Sequence, residues 1–385
     1  MTGLAKPVAR AETVGSLLKP GWLLEAQRRF REGLLAREEL RSIEDRAVLE
    51  AIALQESVGL DVITDGEMRR LSWADTVRHL EGLELRQVPR SYPATAAGDR
   101  VGRRDDRGFL TVVRRVTPRP GATLGNEYAF LRAHARSRTK FTMAAPSYHR
   151  RFWSDHLSGT AYSRCEEFLV DVRDWLHEMA RRLVSAGCTY LQLDAPNYGS
   201  LCDPVTRAFH ARMGHDLDRE IEFDARLDSS VFEGLEVTRA LHVCRGNLPG
   251  GAWHSSGGYE AIAQRLFPNL DVDVLLLEYD SERSGDFTPL RLVRPGTTVV
   301  LGLITTKDGR LEPPAEIEAR VREATAHKPL AELALSTQCG FASAANAPMS
   351  EEEQRAKLEL VVRVARRIWG EGVAQPSTGP AGDDP

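Results

Sequence analysis

The chain has 385 residues, 42% hydrophobic and 28% charged, an ordinary globular balance. A net charge of −4 excludes a broad nucleic-acid-binding surface, and no apolar run approaches the ~18 residues of a membrane span. Five cysteines, at 165, 188, 202, 244 and 339, form no CxxC pair and are odd in number, which argues against a disulfide framework. The first ten residues lack the apolar stretch of a secretory signal, so a cytoplasmic location is expected, where a cysteine is free to bind metal.

Residues 12–17 read as a short strand and turn, in which Gly15 permits close backbone approach and Ser16 offers a hydroxyl and an amide. Helical periodicity follows over 22–30 and 37–58, and Gly59 is placed as the residue that ends the second helix. Residues 61–67 form a second buried-type strand that finishes on Asp65 and Glu67, carboxylates suited to a ligand amine. The rhythm breaks from about 86 to 138, a segment rich in Arg, Pro and Gly. It reads as an inserted arm, with a strand-like run at 109–116 and a helix near 126–135.

A third strand at 140–145 is closed by Pro146, and Trp153 lies shortly after it. A helix at 164–186 leads to a fourth strand at 190–197, with Asp194 at its exit. The fifth strand carries Leu241, His242, Val243 and Cys244 and is ended by Gly246 and Asn247. Side chains two apart on a strand share a face, so His242 and Cys244 point together. The sixth strand, 272–278, is apolar until Glu278; the seventh is 298–304; the eighth, 333–337, runs into Cys339. Helical patterns lie near 259–266, 287–293 and 314–326. Ser350 caps a last helix that ends at Trp369, and a Pro/Gly-rich tail at 372–385 is expected to be disordered.

Eight strands alternating with helices predict an α/β fold, a (β/α)8 TIM barrel with an inserted arm after the second strand. Residues 1–371 would form one catalytic domain. Active sites of such barrels occupy the C-terminal ends of the strands, and Glu67, Asp194, His242, Cys244, Glu278 and Cys339 all fall there. One imidazole, two thiols and a carboxylate at one mouth make a candidate zinc site of His242, Cys244, Glu278 and Cys339. Zinc held this way drives an incoming thiol to thiolate, which suits alkyl transfer to sulfur.

These landmarks, Val14-Gly15-Ser16, Asp65-Gly66-Glu67, Gln192 to Pro196, His242-Val243-Cys244, Glu278 and Cys339-Gly340, resemble the catalytic barrel of cobalamin-independent methionine synthases over nearly the whole chain. The resemblance implies Zn2+ on the four residues named. It further implies homocysteine held through its carboxylate by the Gly15-Ser16 corner and through its ammonium by Glu67 and Asp194, with Trp153 near the folate ring. The implied reaction moves a methyl group from 5-methyltetrahydrofolate, or from a corrinoid donor protein, to homocysteine to give methionine. The chain departs from the family pattern at Ala195, where a glutamate is usual. It departs again at Thr306 and Lys307, where the family has a histidine linked to protonating the donor; Lys307 is the candidate replacement. Two other readings remain: thiol alkylation of another substrate, such as epoxide:coenzyme M transfer, and a non-catalytic zinc-binding accessory protein.

Overall fold

The computed structural model describes residues 8–87, 108–121, 124–343 and 346–370. The expected tail at 372–385 and the middle of the expected arm lie outside the described residues. In chain order the first strands are β1 (Ala11–Glu12), β2 (Val62–Ile63), β3 (Leu80–Arg86), β4 (Phe109–Pro118), β5 (Arg138–Thr139) and β6 (Phe141–Ala144). They are followed by β7 (Tyr190–Asp194), β8 (Thr238–Val243), β9 (Val274–Glu278), β10 (Thr298–Ile304) and β11 (Leu333–Thr337).

Nine of these form one parallel sheet in the order β5-β2-β1-β11-β10-β9-β8-β7-β6. Its two end strands, β5 and β6, are separated in the chain by Lys140 alone. The sheet is therefore a nearly closed barrel of eight strand positions, with the third broken at one residue. The Lys140 amide keeps the β2 side of the pairing, donating to Ile63 O at 2.9 Å. The remaining strands, β3 and β4, pair antiparallel and form the arm that follows β2. Only the second of them was visible as a strand-like run in the sequence.

Period-two alternation sorts the strand residues. Val299 and Leu301 join the large cluster shared with the surrounding helices. Val300 joins a small cluster with Val62, Tyr190, Ala240, Leu276 and Ala334 inside the barrel. Each such aliphatic burial contributes roughly 1.5–3 kcal/mol. On that pattern Gln192, Asp194, His242 and Glu278 point inward with Tyr190, Ala240 and Leu276.

Two expectations need correction. The first and second strands are far shorter than their apolar runs, because the chain leaves the sheet to form the mouth: Leu17 N donates to Gly66 O at 3.1 Å. The segment near 287–293 is a 3-10 turn, Thr288–Leu292, not an α-helix, with Pro289 removing a donor from its first turn. The helix Arg37–Val58 ends at Gly59 with φ 85°, as its left-handed cap requires. The final helix Glu351–Trp369 opens with a full capping box between Ser350 and Glu353. No described helix is long and apolar enough to cross a membrane.

Candidate metal centre

Strand β8 turns His242 inward, and Cys244 follows directly after the strand. Cys339 arrives from the loop after β11. One ligand atom from each of these three residues lies within 4.8 Å of the others, and all three side chains are buried. Both ring nitrogens of His242 lack a hydrogen-bond partner among the described residues. A buried imidazole left unpaired costs free energy unless something else binds it. The thiols are coupled. Cys339 is held well below the usual thiol range by its hydrogen bond with Cys244 and by His242, while the same bond, with burial, pushes Cys244 well up. An imidazole beside two sulfurs is a borderline-soft donor set, and it fits zinc.

Glu278, at the end of β9, is not brought into that group. Its Oε2 accepts from Arg245 N at 2.6 Å; its Oε1 is engaged by Arg283 Nη2 and by Lys307 Nζ, the latter at 3.3 Å. Burial opposes the charge, but Lys307, Arg283 and Arg245 outweigh it and hold the carboxyl down at about 2. Lys307 also pairs with Asp280 at 2.7 Å.

Beside the metal group lies a cluster of buried carboxylates. Glu67 has φ 57°, the one described non-glycine residue in left-handed backbone, and follows Gly66 at φ 66°. The Asp65 carboxylate pins this turn by accepting from Glu67 N at 2.9 Å. Glu67 Oε1 accepts from Thr142 Oγ1 at 2.7 Å, and Arg70, itself bonded to Thr142 at 2.8 Å, approaches the same oxygen at 3.4 Å. The absence of a side chain at Gly15 makes this possible, since a Cβ there would lie 2.9 Å from Glu67 Oε1. Among the described residues Asp65 Oδ2, Glu67 Oε2 and Arg70 Nη2 remain buried without partners. Asp194 stands opposite His242 in the register of β7 and β8. Burial, with Glu67 and Cys339 nearby, pushes its carboxyl up to about 7 against the pull of His242 and Gln192.

Ser16 abuts the Cys339 loop: its carbonyl accepts from Phe341 N at 2.8 Å and its hydroxyl from Ala342 N at 3.2 Å. A Cβ on Gly340 would collide with that hydroxyl. Trp153 is half-buried after the turn Pro146–Phe152 and donates to Asp155 Oδ1 at 2.8 Å; it is outside the metal group.

Several positions carried no role in the sequence reading. Arg70 and Thr142 orient Glu67. Lys140, buried at the strand break, donates to Glu12 Oε2 at 2.7 Å and to Gln192 Oε1 at 2.8 Å. Because an ammonium only donates, the Gln192 carbonyl must face it, and its amide NH2 then donates to Asp194 Oδ1 at 2.7 Å. The signal was a charged or amide residue interrupting an apolar strand.

Comparison with known proteins bears on the family and the fold. The family described as "Cobalamin-independent synthase, Catalytic domain" matches residues 162–367. The uncharacterized protein YxjH of Bacillus subtilis is 34% identical over 366 residues, covering 94% of each chain. A methionine synthase of Sulfurisphaera tokodaii is 23% identical over 314 residues, 81% of this chain and 79% of that one. Among solved structures, a candidate vitamin-B12-independent methionine synthase from Listeria monocytogenes has a TM-score of 0.70 at 28% identity, covering 96% of this chain and 100% of that one. The fold is shared as well with a B12-independent methionine synthase from Shewanella sp. W3-18-1 in complex with selenomethionine, with a TM-score of 0.69 at 22% identity over 94% of this chain and 98% of that one. The chain belongs to the cobalamin-independent synthase catalytic-domain family.

Proposed function

We propose that this family member is a zinc-dependent methyltransferase that converts homocysteine to methionine with 5-methyltetrahydrofolate as donor. The observation that carries the reading is the His242 ring, unpartnered among the described residues, beside two thiols and next to a cluster of unpaired carboxylate oxygens. His242, Cys244 and Cys339 would hold the metal. Zinc in this donor set keeps an incoming thiol ionised at neutral pH.

Glu67 and Asp194 would take the ammonium of the amino acid, Glu67 Oε2 supplying an acceptor that no described residue satisfies. The Gly15-Ser16 corner would take its carboxylate. The sulfur then attacks the donor methyl in line; the S–C bond forms as the C–N bond breaks, and the folate nitrogen takes a proton. N-methyl amines are poor donors, so holding both reactants in contact supplies much of the rate. Trp153 is proposed at the folate side of the mouth. The two ion pairs on Lys307 support a hold on Glu278 over a proton-donating role. Folate is preferred to a corrinoid protein because the family and the two solved structures named above are described as cobalamin- or B12-independent.

Two anionic residues at the pocket speak against a sulfonate thiol such as coenzyme M. The domain is proposed to span 1–371. The test is to load the protein with zinc and incubate it with homocysteine or with coenzyme M, each paired separately with methyl-folate, methylcobalamin or an epoxide. Methionine from methyl-folate alone supports the reading. Product only from coenzyme M and an epoxide favours the rival alkyltransferase, and zinc binding with no product from any pair favours an accessory protein.

A further inference from the structure

The loops that leave β8, β10 and β11 are tied together by neutral side chains. Asn247 stands shortly after Cys244, Thr306 follows β10, and Gln338 immediately precedes Cys339. Thr306 and Gln338 are fully buried, and Asn247 is half-buried. One main-chain bond fixes the direction of all the others. Thr306 N can only donate, and it reaches Gln338 Oε1 at 3.0 Å, so the Gln338 NH2 is turned to Asn247. That NH2 donates to Asn247 Oδ1 at 2.9 Å, which turns the Asn247 NH2 to Thr306 Oγ1 at 2.8 Å. Having accepted there, the Thr306 hydroxyl donates to Gln338 Oε1 at 2.8 Å and closes the circuit. The Asn247 NH2 also reaches Gly340 O, beyond Cys339, at 3.4 Å.

We propose that Asn247, Thr306 and Gln338 are positioning residues, a closed hydrogen-bond circuit that sets the separation of Cys244 and Cys339. The inference rests on the zinc reading above and extends it to side chains outside the donor set. The two thiols need such a tie. β8 and β11 are not neighbours in the sheet, since β9 and β10 lie between them, so no ladder bond fixes the spacing of the loops that follow. Loops left to be ordered by the metal would charge their conformational entropy against its binding; the circuit meets that cost on folding. Amides and a hydroxyl also add no charge beside the thiols. Each member is oriented by the one before it, so breaking the circuit at one point frees the rest.

The test measures zinc affinity of the full-length, reduced chain by chelator competition. Thr306→Val exchanges the hydroxyl for a methyl group and is expected to weaken zinc about 10- to 100-fold, the scale of a change just outside the ligand shell. Thr306→Ser keeps the hydroxyl and is expected to bind zinc as wild type does. Asn247→Leu, at the half-buried member, is expected to match Thr306→Val, and carries the test alone if that variant does not fold. The double variant is expected to lose no more than either single one, since a circuit opens only once. Thr297→Val is the control: it removes a buried hydroxyl bond to Val272 O, 3.0 Å long, at the opposite end of β10. It is expected to leave zinc affinity unchanged. Equal weakening by Thr297→Val would make the effect one of general stability and overturn the circuit. Additive losses in the double variant, or wild-type affinity in Thr306→Val and Asn247→Leu, would overturn it while leaving the zinc enzyme intact. Wild-type protein that takes up no zinc would sink both readings.

Discussion

Two sets of buried polar groups share the inside of this barrel, and they differ in how completely each satisfies itself. In the middle of the barrel Glu12, Lys140, Tyr190 and Gln192 close on one another: the ammonium donates to carboxylate and amide, and the Tyr190 hydroxyl donates to the same carboxylate at 3.2 Å. The second hydrogen of Gln192 goes to Val14 O at 3.0 Å. At the mouth, one layer above, Asp65, Glu67, Arg70 and His242 are as deeply buried yet keep unpaired atoms. Burial costs both sets a desolvation penalty. The interior offsets it with its own contacts; the mouth leaves it to be offset by what binds there. Strain follows the same division, since the left-handed Glu67 belongs to the mouth.

The contrast breaks most sharply if the mouth does not need its missing partner. Cys339→Ala is expected to lose tightly bound zinc and to lower methionine formation by about a thousandfold or more, with the far-UV circular dichroism of the barrel retained. Metal analysis and turnover check this, and a variant with zinc and rate intact would remove the metal centre from the account. In the interior the expected damage is to the fold. Lys140→Met strands Glu12 as an uncompensated buried charge and should cost about 3–5 kcal/mol in urea unfolding, since breaking a buried pair costs that much. A loss below about 1 kcal/mol would mean that the interior set is not the self-satisfied network the distances describe.

How much of this was legible beforehand follows the same line. The barrel was readable because apolar strand runs alternate with helices that announce their ends, as Gly59 and Ser350 do. The meeting of His242, Cys244 and Cys339 at one mouth was readable because chemistry-bearing side chains fall where strands stop. The hold on Glu278 was not, because Lys307 and Arg283 reach it from different loops, and no spacing encodes a meeting between loops. Lys140 was hidden differently: its position at the strand break means something only once β5 and β6 are seen to be the two ends of a closing sheet.

A smaller effect separates binding from chemistry within the mouth. Asp194→Asn keeps the shape and removes the charge offered to the ammonium. A charged hydrogen bond contributes about 1.5–3 kcal/mol, so KM for homocysteine should rise about 10- to 100-fold while kcat changes little. A thiol of similar length without an amino group should show no such penalty. Equal losses with both thiols would assign Asp194 to the chemistry or to the fold instead of to ammonium recognition.

A pH-dependent effect asks whether neutral donors satisfy a buried carboxylate as well as a cation does. Asp228 is fully buried and accepts from Ser147 N at 2.9 Å, Ser147 Oγ at 2.6 Å and Tyr198 Oη at 2.7 Å, with no cation among these donors. Burial pushes its carboxyl up to about 7 although all three bonds pull it down. The folded protein therefore holds a proton that the unfolded chain has released between its ordinary value, 3.8, and about 7. Stability from this group is full below the unfolded value and is lost as pH rises through the folded one, with a slope of at most about 1.4 kcal/mol per pH unit. Asp228→Asn should remove that component, so that the difference in unfolding free energy between wild type and variant changes across pH 4–7 and is flat above it. A difference that stayed constant over the window would mean that three neutral donors do for Asp228 what Lys140 does for Glu12, and the contrast between mouth and interior would then rest on unpaired atoms alone.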